Sequence, residues 1–317
     1  MNVLEWSFVA AVLTATAPVL LCALGGALCQ LAGVFNIALE GQLLLGCFVA
    51  VVVSHVTGSA WLGALAAVAL VTLYAAVLSI ATVTLDADAI VVAVGTNLLA
   101  LGLTSFLMRE LLGTSGTYTS PDLAGLPTLA GWGLKSVPVL GPLLGLQSPL
   151  VLVALLLVVG ASLWLRRAPS GLRLKAVGEH PGAASALGLK VAGYRHATVL
   201  AAGALCGLAG AQLALGNVTL FSEGMSAGRG WVAVVAVMLG RNRPYGVLAA
   251  CLLFGAAEAY GFRLQGAGLP QQAADAAPYV VTLLALALLQ ARRLRGSGTE
   301  DPATQADPST PAAEAAR

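Results

Sequence analysis

The chain has 317 residues, of which 58% are hydrophobic and only 9% charged, with a formal net charge of +2 and a mean hydropathy of +0.89. A soluble domain carries about 25% charged residues, so this chain cannot cover a water-facing surface of its size. Soluble, collagen-like, disordered and disulfide-stapled classes are excluded, and the near-neutral charge leaves no electrostatic case for a nucleic-acid polymer as partner. Stretches free of Asp, Glu, Lys and Arg run over Trp6–Leu39, Gly41–Leu85, Ala89–Met108, Ser136–Leu165 and His196–Ser222, the shortest 20 residues long. Roughly 20 apolar residues make one helix across a bilayer. The partner is therefore a lipid bilayer, and the expected fold is all-α and polytopic, with about eight to ten transmembrane helices.

In chain order the hydropathy predicts spans near Ser7–Cys29, Phe35–Ser54, Trp61–Val83, Ala89–Met108, Pro149–Leu165, His196–Gly216, Trp231–Gly240, Gly246–Leu264 and Pro278–Gln290. Apolar runs such as Val151–Gly160 do not alternate as barrel strands would. The start of the chain lacks the basic region of a signal peptide, so its first apolar run is expected to be kept as a span. Trp231–Gly240 is too short to cross alone, and is either re-entrant or extends back through Gly224. Twelve of the 16 Lys and Arg fall in 166–195, in Arg241 and Arg243, or after the last span, and this side is read as cytoplasmic. Residues 1–295 thus form a transmembrane domain with a cytoplasmic loop over 166–195 and an external loop over 109–148. The nine spans place the N-terminus outside. Residues 296–317 are small, polar and proline-containing, and are expected to be a disordered cytoplasmic tail.

Polar groups inside apolar spans are costly and tend to face a cavity or a partner. Asn36 and Glu40 stand four residues apart, on one helical face, with Gln42 following. Glu40 is either a pathway residue or a carboxylate that stabilises a helix start. A second cluster, Asn217 to Gly230, mixes glycines and small hydroxyls with Glu223 and Arg229. It reads as an unwound stretch opening onto a helix, as transporters use near the midplane, or as a plain external loop. Glu223 and Arg229 are expected to pair or to face an aqueous path. Gly203 and Gly207 form a GxxxG face for close helix approach, within the subunit or between subunits. The five cysteines have no metal or redox spacing and are read as packing residues.

The basic loop carries a third cluster, Gly171-Leu-Arg-Leu-Lys-Ala-Val-Gly-Glu179-His180-Pro181-Gly-Ala-Ala184-Ser-Ala-Leu-Gly188. Pro181 suits the first turn of a short helix, Glu179 stands near its positively polarised start, and Gly188 is placed to end it. With Gly33–Gln42, Asn97-Leu-Leu-Ala-Leu and Ala227-Gly-Arg-Gly, this pattern resembles the permease subunits of bacterial ABC importers of the branched-chain amino acid/ribose type, in particular the nucleoside and simple-sugar branch. The family often has Asn where His180 stands. The resemblance implies a type II ABC importer-like fold in a bacterial cytoplasmic membrane and a channel-forming subunit that is not an enzyme. It also implies three partners: an ATP-binding subunit, a second related permease and an external substrate-binding lipoprotein. No G-x-x-x-x-G-K-[ST] occurs in the chain, so no cofactor is expected here and ATP is used by the partner. Carried over position by position, Glu179, His180, Pro181, Ala184 and Gly188 are the expected ATPase-coupling residues. Asn36, Glu40, Gln42, Asn97, Asn217 and Glu223 are the candidates for the translocation path. The alternative is a proton-coupled secondary transporter that uses Glu40, Glu223 or Glu258 as a relay.

Overall fold

The computed structural model describes residues 3–129, 145, 147–266 and 280. The chain divides into Met1–Pro278 and Tyr279–Arg317, and every element named below lies in the first unit. The expected span Pro278–Gln290, the tail 296–317 and the basic residues Lys135, Arg292, Arg293 and Arg295 lie outside the described residues.

The first half of the chain is helical throughout: α1 (Val3–Leu31), α2 (Leu39–Thr57), α3 (Ala60–Ser79, continued by a π turn to Thr84) and α4 (Ala89–Leu112). After the short strand β1 (Thr117–Tyr118) come α5 (Pro149–Arg167), α6 (Pro169–Glu179) and α7 (Pro181–Ala186). The helix α8 (Val191–Ala211) continues as a π segment to Val218 and leads to β2 (Phe221–Ser222), α9 (Arg229–Leu239) and α10 (Pro244–Gly266). Among the described residues seven helices are long and apolar enough to cross a membrane, and α9 is the one shorter apolar helix. The Trp231–Gly240 segment does not extend back through Gly224 as helix: Gly224, Ala227 and Gly228 all take positive φ, so the chain turns instead.

Helix α2 begins at Leu39, four residues later than the predicted Phe35. Hydropathy alone cannot see the reason. The Asn36 side-chain oxygen accepts from the Ala38 nitrogen at 2.9 Å, a local turn that competes with helix, and Gly33 sits at φ +78. Residues 32–38 therefore enter the bundle without helical backbone.

The core forms where α8 runs against α1, α2 and α3. Without a hydrophobic driving force between helices in lipid, contact depends on small residues that let backbones approach. A Cβ on Gly207 would stand 2.6 Å from the Ala67 carbonyl oxygen, and one on Gly203 2.5 Å from the Ala75 Cβ. Both glycines of the GxxxG thus face α3, which assigns that motif to packing within the subunit. On the next face of α8, Gly210 meets the backbone of Gly46 and Cys47 on α2. All five cysteines are buried and free. By contrast α4 keeps an open face, and nothing lies within 4 Å of a Cβ built on Gly95 or Gly102.

Overpacked helix contacts cost about 1–3 kcal/mol. Gly207→Val is expected to lower the thermal midpoint of the detergent-solubilised protein by several degrees, whereas Gly102→Ala should leave it unchanged or raise it slightly. Melting followed by fluorescence-detected size exclusion measures both.

Candidate functional site

Two interruptions of the helical backbone meet inside the bundle. One is the 32–38 segment before α2, and the other is the 219–228 segment before α9. Each leaves main-chain groups that lipid cannot satisfy, and side chains of the chain itself satisfy them. On α4, Asn97 accepts from the Gly41 nitrogen at 2.8 Å and donates to the Ile37 carbonyl at 3.1 Å. One amide thus clamps both sides of the break at the start of α2. Gly41 must be glycine for this, since its Cβ would stand 2.8 Å from the Asn97 Cα.

The half-buried Glu40 joins the two interruptions. Its Oε1 accepts from the Gly228 nitrogen at 2.9 Å and its Oε2 from the Gly230 nitrogen at 2.7 Å. A helix start leaves its first N–H groups unpaired and carries a partial positive charge. A carboxylate from another helix answers both needs at once. Gly228 is at φ +79, where glycine is favoured, and a Cβ on Gly230 would stand 2.5 Å from the Glu40 nitrogen. The intervening Arg229 forms an ion pair with Glu258 of α10 at 2.5 Å, both side chains being partly accessible. Of the two readings of Glu223 and Arg229, the pairing does not form, because Arg229 meets Glu258 instead. Glu258 lies 29 residues further on, too far along the chain for spacing to suggest it.

The other candidates are placed apart from this junction. The Gln42 side chain is 1% exposed, and neither of its polar atoms has a hydrogen-bond partner among the described residues. Asn217 belongs to a hydrogen-bond chain: Ser148 donates to Gln212, Gln212 donates to Asn217 at 2.8 Å, and Asn217 donates to the Thr14 carbonyl at 3.2 Å. This chain ties the π end of α8 to α1 and to the start of α5. Glu223 follows β2, which pairs antiparallel with β1 through Thr117 with Ser222 and Tyr118 with Phe221. Its carboxylate and its own nitrogen both engage Gly116, at 3.3 and 2.8 Å. Arg263, unplaced by sequence, lies over the Phe8 ring at 4.6 Å and donates to Ser7.

At the far end of α1 the basic loop forms two helices rather than the single short one expected. Pro169 and Pro181 each occupy a first helical turn, and His180 is the joint between them. On α6, Gly171 meets the Trp164 backbone and Gly178 meets the Leu31 carbonyl. These two glycines are two turns apart, on the same face as Leu174, which packs with Ala32 and Leu165. Gly178 thus keys α6 directly to the end of α1, and Gly171 keys it to the end of α5. Glu179, His180, Pro181 and Gly188 are exposed, with Gly188 at φ +79 just past α7. Ala184 is buried against its own chain, so it supports the element instead of presenting a surface. Sequence inspection passed over Leu187, which is 82% exposed; an apolar residue beside a capping glycine was the available signal.

Each buried N–H left without an acceptor costs about 1–3 kcal/mol. Glu40→Ala and Gly230→Ala are each expected to lower the thermal midpoint of the protein. The double variant should fall well short of the sum, because both changes break one contact. A double-mutant cycle from thermal melts checks this.

Residues 8–289 match the family model described as branched-chain amino acid transport system / permease component. A guanosine ABC transporter permease protein of Bacillus subtilis is 33% identical over 88% of this chain and 90% of its own length. A nucleoside ABC transporter permease protein of Lactococcus lactis subsp. cremoris is 32% identical over 88% of this chain and 91% of its own. A putative glucose ABC transporter permease protein of Haloferax volcanii is 33% identical over 83% and 80% respectively. No solved structure matches the chain. With seven membrane-length helices, a half-helix and a paired-helix loop keyed to α1, the chain belongs to the branched-chain amino acid transport system permease family and is a multi-pass ABC transporter permease.

Proposed function

We propose that this chain is the channel-forming subunit of an importer that moves a nucleoside or a simple sugar across a bacterial cytoplasmic membrane. A separate ATPase drives it, a second related permease completes the channel, and an external substrate-binding lipoprotein delivers the solute. The names of its relatives, which specify guanosine, nucleosides and glucose, support this solute class. Few ionised groups in the spans suit a neutral, polyhydroxylated cargo.

The observation that carries the reading is the α6–α7 element. Its outer ridge, from Glu179 to Gly188, is exposed, while its inner face is locked to α1 through Gly178 and Leu31. A contact made on the ridge moves α1 with little slack, since close-packed backbone transmits strain where a flexible side chain would absorb it. The chain thereby converts ATPase closure into a switch between outward and inward openings. Each ligand biases that switch only by its different affinity for the two states. On this reading the ridge residues Glu179, His180, Pro181 and Gly188 meet the ATPase, Ala184 supports them from within, and Leu187 is the apolar anchor. Asn36, Glu40 and Asn97 build the walls of the path; Gln42, Asn217 and Glu223 brace it from the neighbouring turns and the external mouth.

Leu187→Asp and Pro181→Ala are expected to cut uptake at least tenfold while membrane levels of the chain stay constant. Uptake is measured in cells carrying the full set of subunits with labelled nucleosides, sugars and branched-chain amino acids. Undiminished uptake in both variants overturns the docking assignment. Uptake should stop on ATP depletion and persist with a proton uncoupler present, which separates this mechanism from a proton-coupled one.

A further inference from the structure

Helix α5 borders a groove that neither the bundle packing nor the α6–α7 element uses. Leu157, Gly160, Ala161 and Trp164 recur at three- and four-residue steps and so share one face of α5. With Leu28 of α1 and Leu205 of α8 they line a groove of about 230 Å³. From Leu157 to Trp164 it runs roughly 10 Å along the helix. Gly160 is exposed, and a Cβ built on it meets nothing within 4 Å, so the groove is open on that side.

One end of the groove is chemically different. The Trp164 indole nitrogen donates to the Ser170 hydroxyl oxygen at 2.8 Å, while the same side chain lines the groove. A ring in apolar surroundings with its N–H on the polar side is how tryptophan sits at a membrane interface. Helix α5 is apolar, 19 residues long and of membrane length, and it ends on Arg166 and Arg167. Those arginines therefore stand at the level of the lipid headgroups, whichever way the chain is threaded. Arg167 follows Gly160 by seven residues and Trp164 by three, so it continues the stripe that lines the groove. Both arginines are exposed, and among the described residues no carboxylate pairs with either. An apolar slot, an interfacial tryptophan and an unpaired cation thus follow one another along one face, with Arg166 beside them.

We propose that the groove between α1, α5 and α8 is a binding site for one anionic phospholipid. An acyl chain lies against Gly160 and Leu28, and the phosphate meets Arg166 and Arg167. A zwitterionic lipid cancels its phosphate with its own ammonium, so two adjacent guanidinium groups favour a headgroup of net negative charge, as in phosphatidylglycerol. The site requires only that α5 spans the membrane. It goes beyond the importer reading and does not rest on it.

The test uses the full-length chain, purified with the subunits that accompany it and reconstituted in vesicles of phosphatidylethanolamine and phosphatidylglycerol. Phosphatidylglycerol carrying a diazirine in one acyl chain is cross-linked by light, and the labelled residues are mapped by mass spectrometry. Label is expected to concentrate on Leu157–Trp164 and around Leu28, with unlabelled phosphatidylglycerol competing far better than phosphatidylethanolamine or inorganic phosphate. The double variant Arg166→Gln/Arg167→Gln is expected to lower that labelling roughly tenfold or more. Gly160→Leu, whose side chain enters open space, should displace the label from the groove while the elution profile of the complex stays unchanged. Label spread evenly over the lipid-facing helices, equal competition by the two lipids, or full labelling of the arginine double variant overturns the site. A groove that takes no label because a partner subunit cross-links to it overturns the proposal as well. Should Gly160→Leu fail to assemble, the label map and the arginine variant decide the matter.

Discussion

The described architecture turns on one carboxylate. Glu40 receives the Gly228 and Gly230 nitrogens, and without it the start of α9 would be an unpaired, positively polarised helix end inside the bundle. Because that need is met by a residue of α2, α9 can stop halfway and leave the chain before it free to turn. The same carboxylate sets the glycines around it: Gly230 allows the backbone of α9 to lie against the Glu40 main chain. On the other side of α2, Asn97 performs the matching task for the Ile37–Gly41 break. Two polar side chains on two helices thus hold open the non-helical backbone that an uninterrupted bundle would lack.

Around this junction the chain relies on close backbone approach. Gly203, Gly207 and Gly210 seat α8 between α3 and α2, and Gly178 seats α6 under the end of α1. Such contacts have few soft degrees of freedom, so displacement of one element is passed to the next. That property joins the exposed ridge of α7 to α1, and α1 through α8 to α2, which carries Glu40 and packs through Gly41 on Asn97 of α4. The open face of α4 lies outside this rigid set.

Much of the architecture was legible because lipid enforces a single strong rule. Uninterrupted apolar runs and clustered arginines located the seven long helices and the loop that carries α6 and α7. The interruptions were legible as clusters, at Asn36–Gln42 and at Asn217–Gly230, but their pairings were not. Spacing placed Asn36 and Glu40 on one helical face, whereas Asn36 lies before the helix and turns back on Ala38. Glu223 and Arg229 are near in sequence, yet the chain reverses between them, so Arg229 meets Glu258 from α10 and Glu223 meets Gly116. Contacts between segments tens to hundreds of residues apart depend on tertiary placement, and local pattern carries no record of them. The glycines of the 171–188 motif serve two ends: Gly171 and Gly178 are packing surfaces toward α5 and α1, whereas Gly188 lies at φ +79 just past α7.

The placement of the few intramembrane charges bears on what the pathway can do. Glu40 is held by two backbone nitrogens, and Arg229 and Glu258 hold each other. An ionised group already committed to the protein offers little to a passing ion or to a migrating proton, since either would first have to displace a partner at a cost of a few kcal/mol. On the importer reading, another protein selects the cargo and ATP hydrolysis supplies direction, so none of these groups is required to bind an ion or carry a proton. The charges that sequence composition marks as rare serve the architecture itself: Glu40 fastens the start of α9 to α2, and Glu258 fastens the same turn to α10.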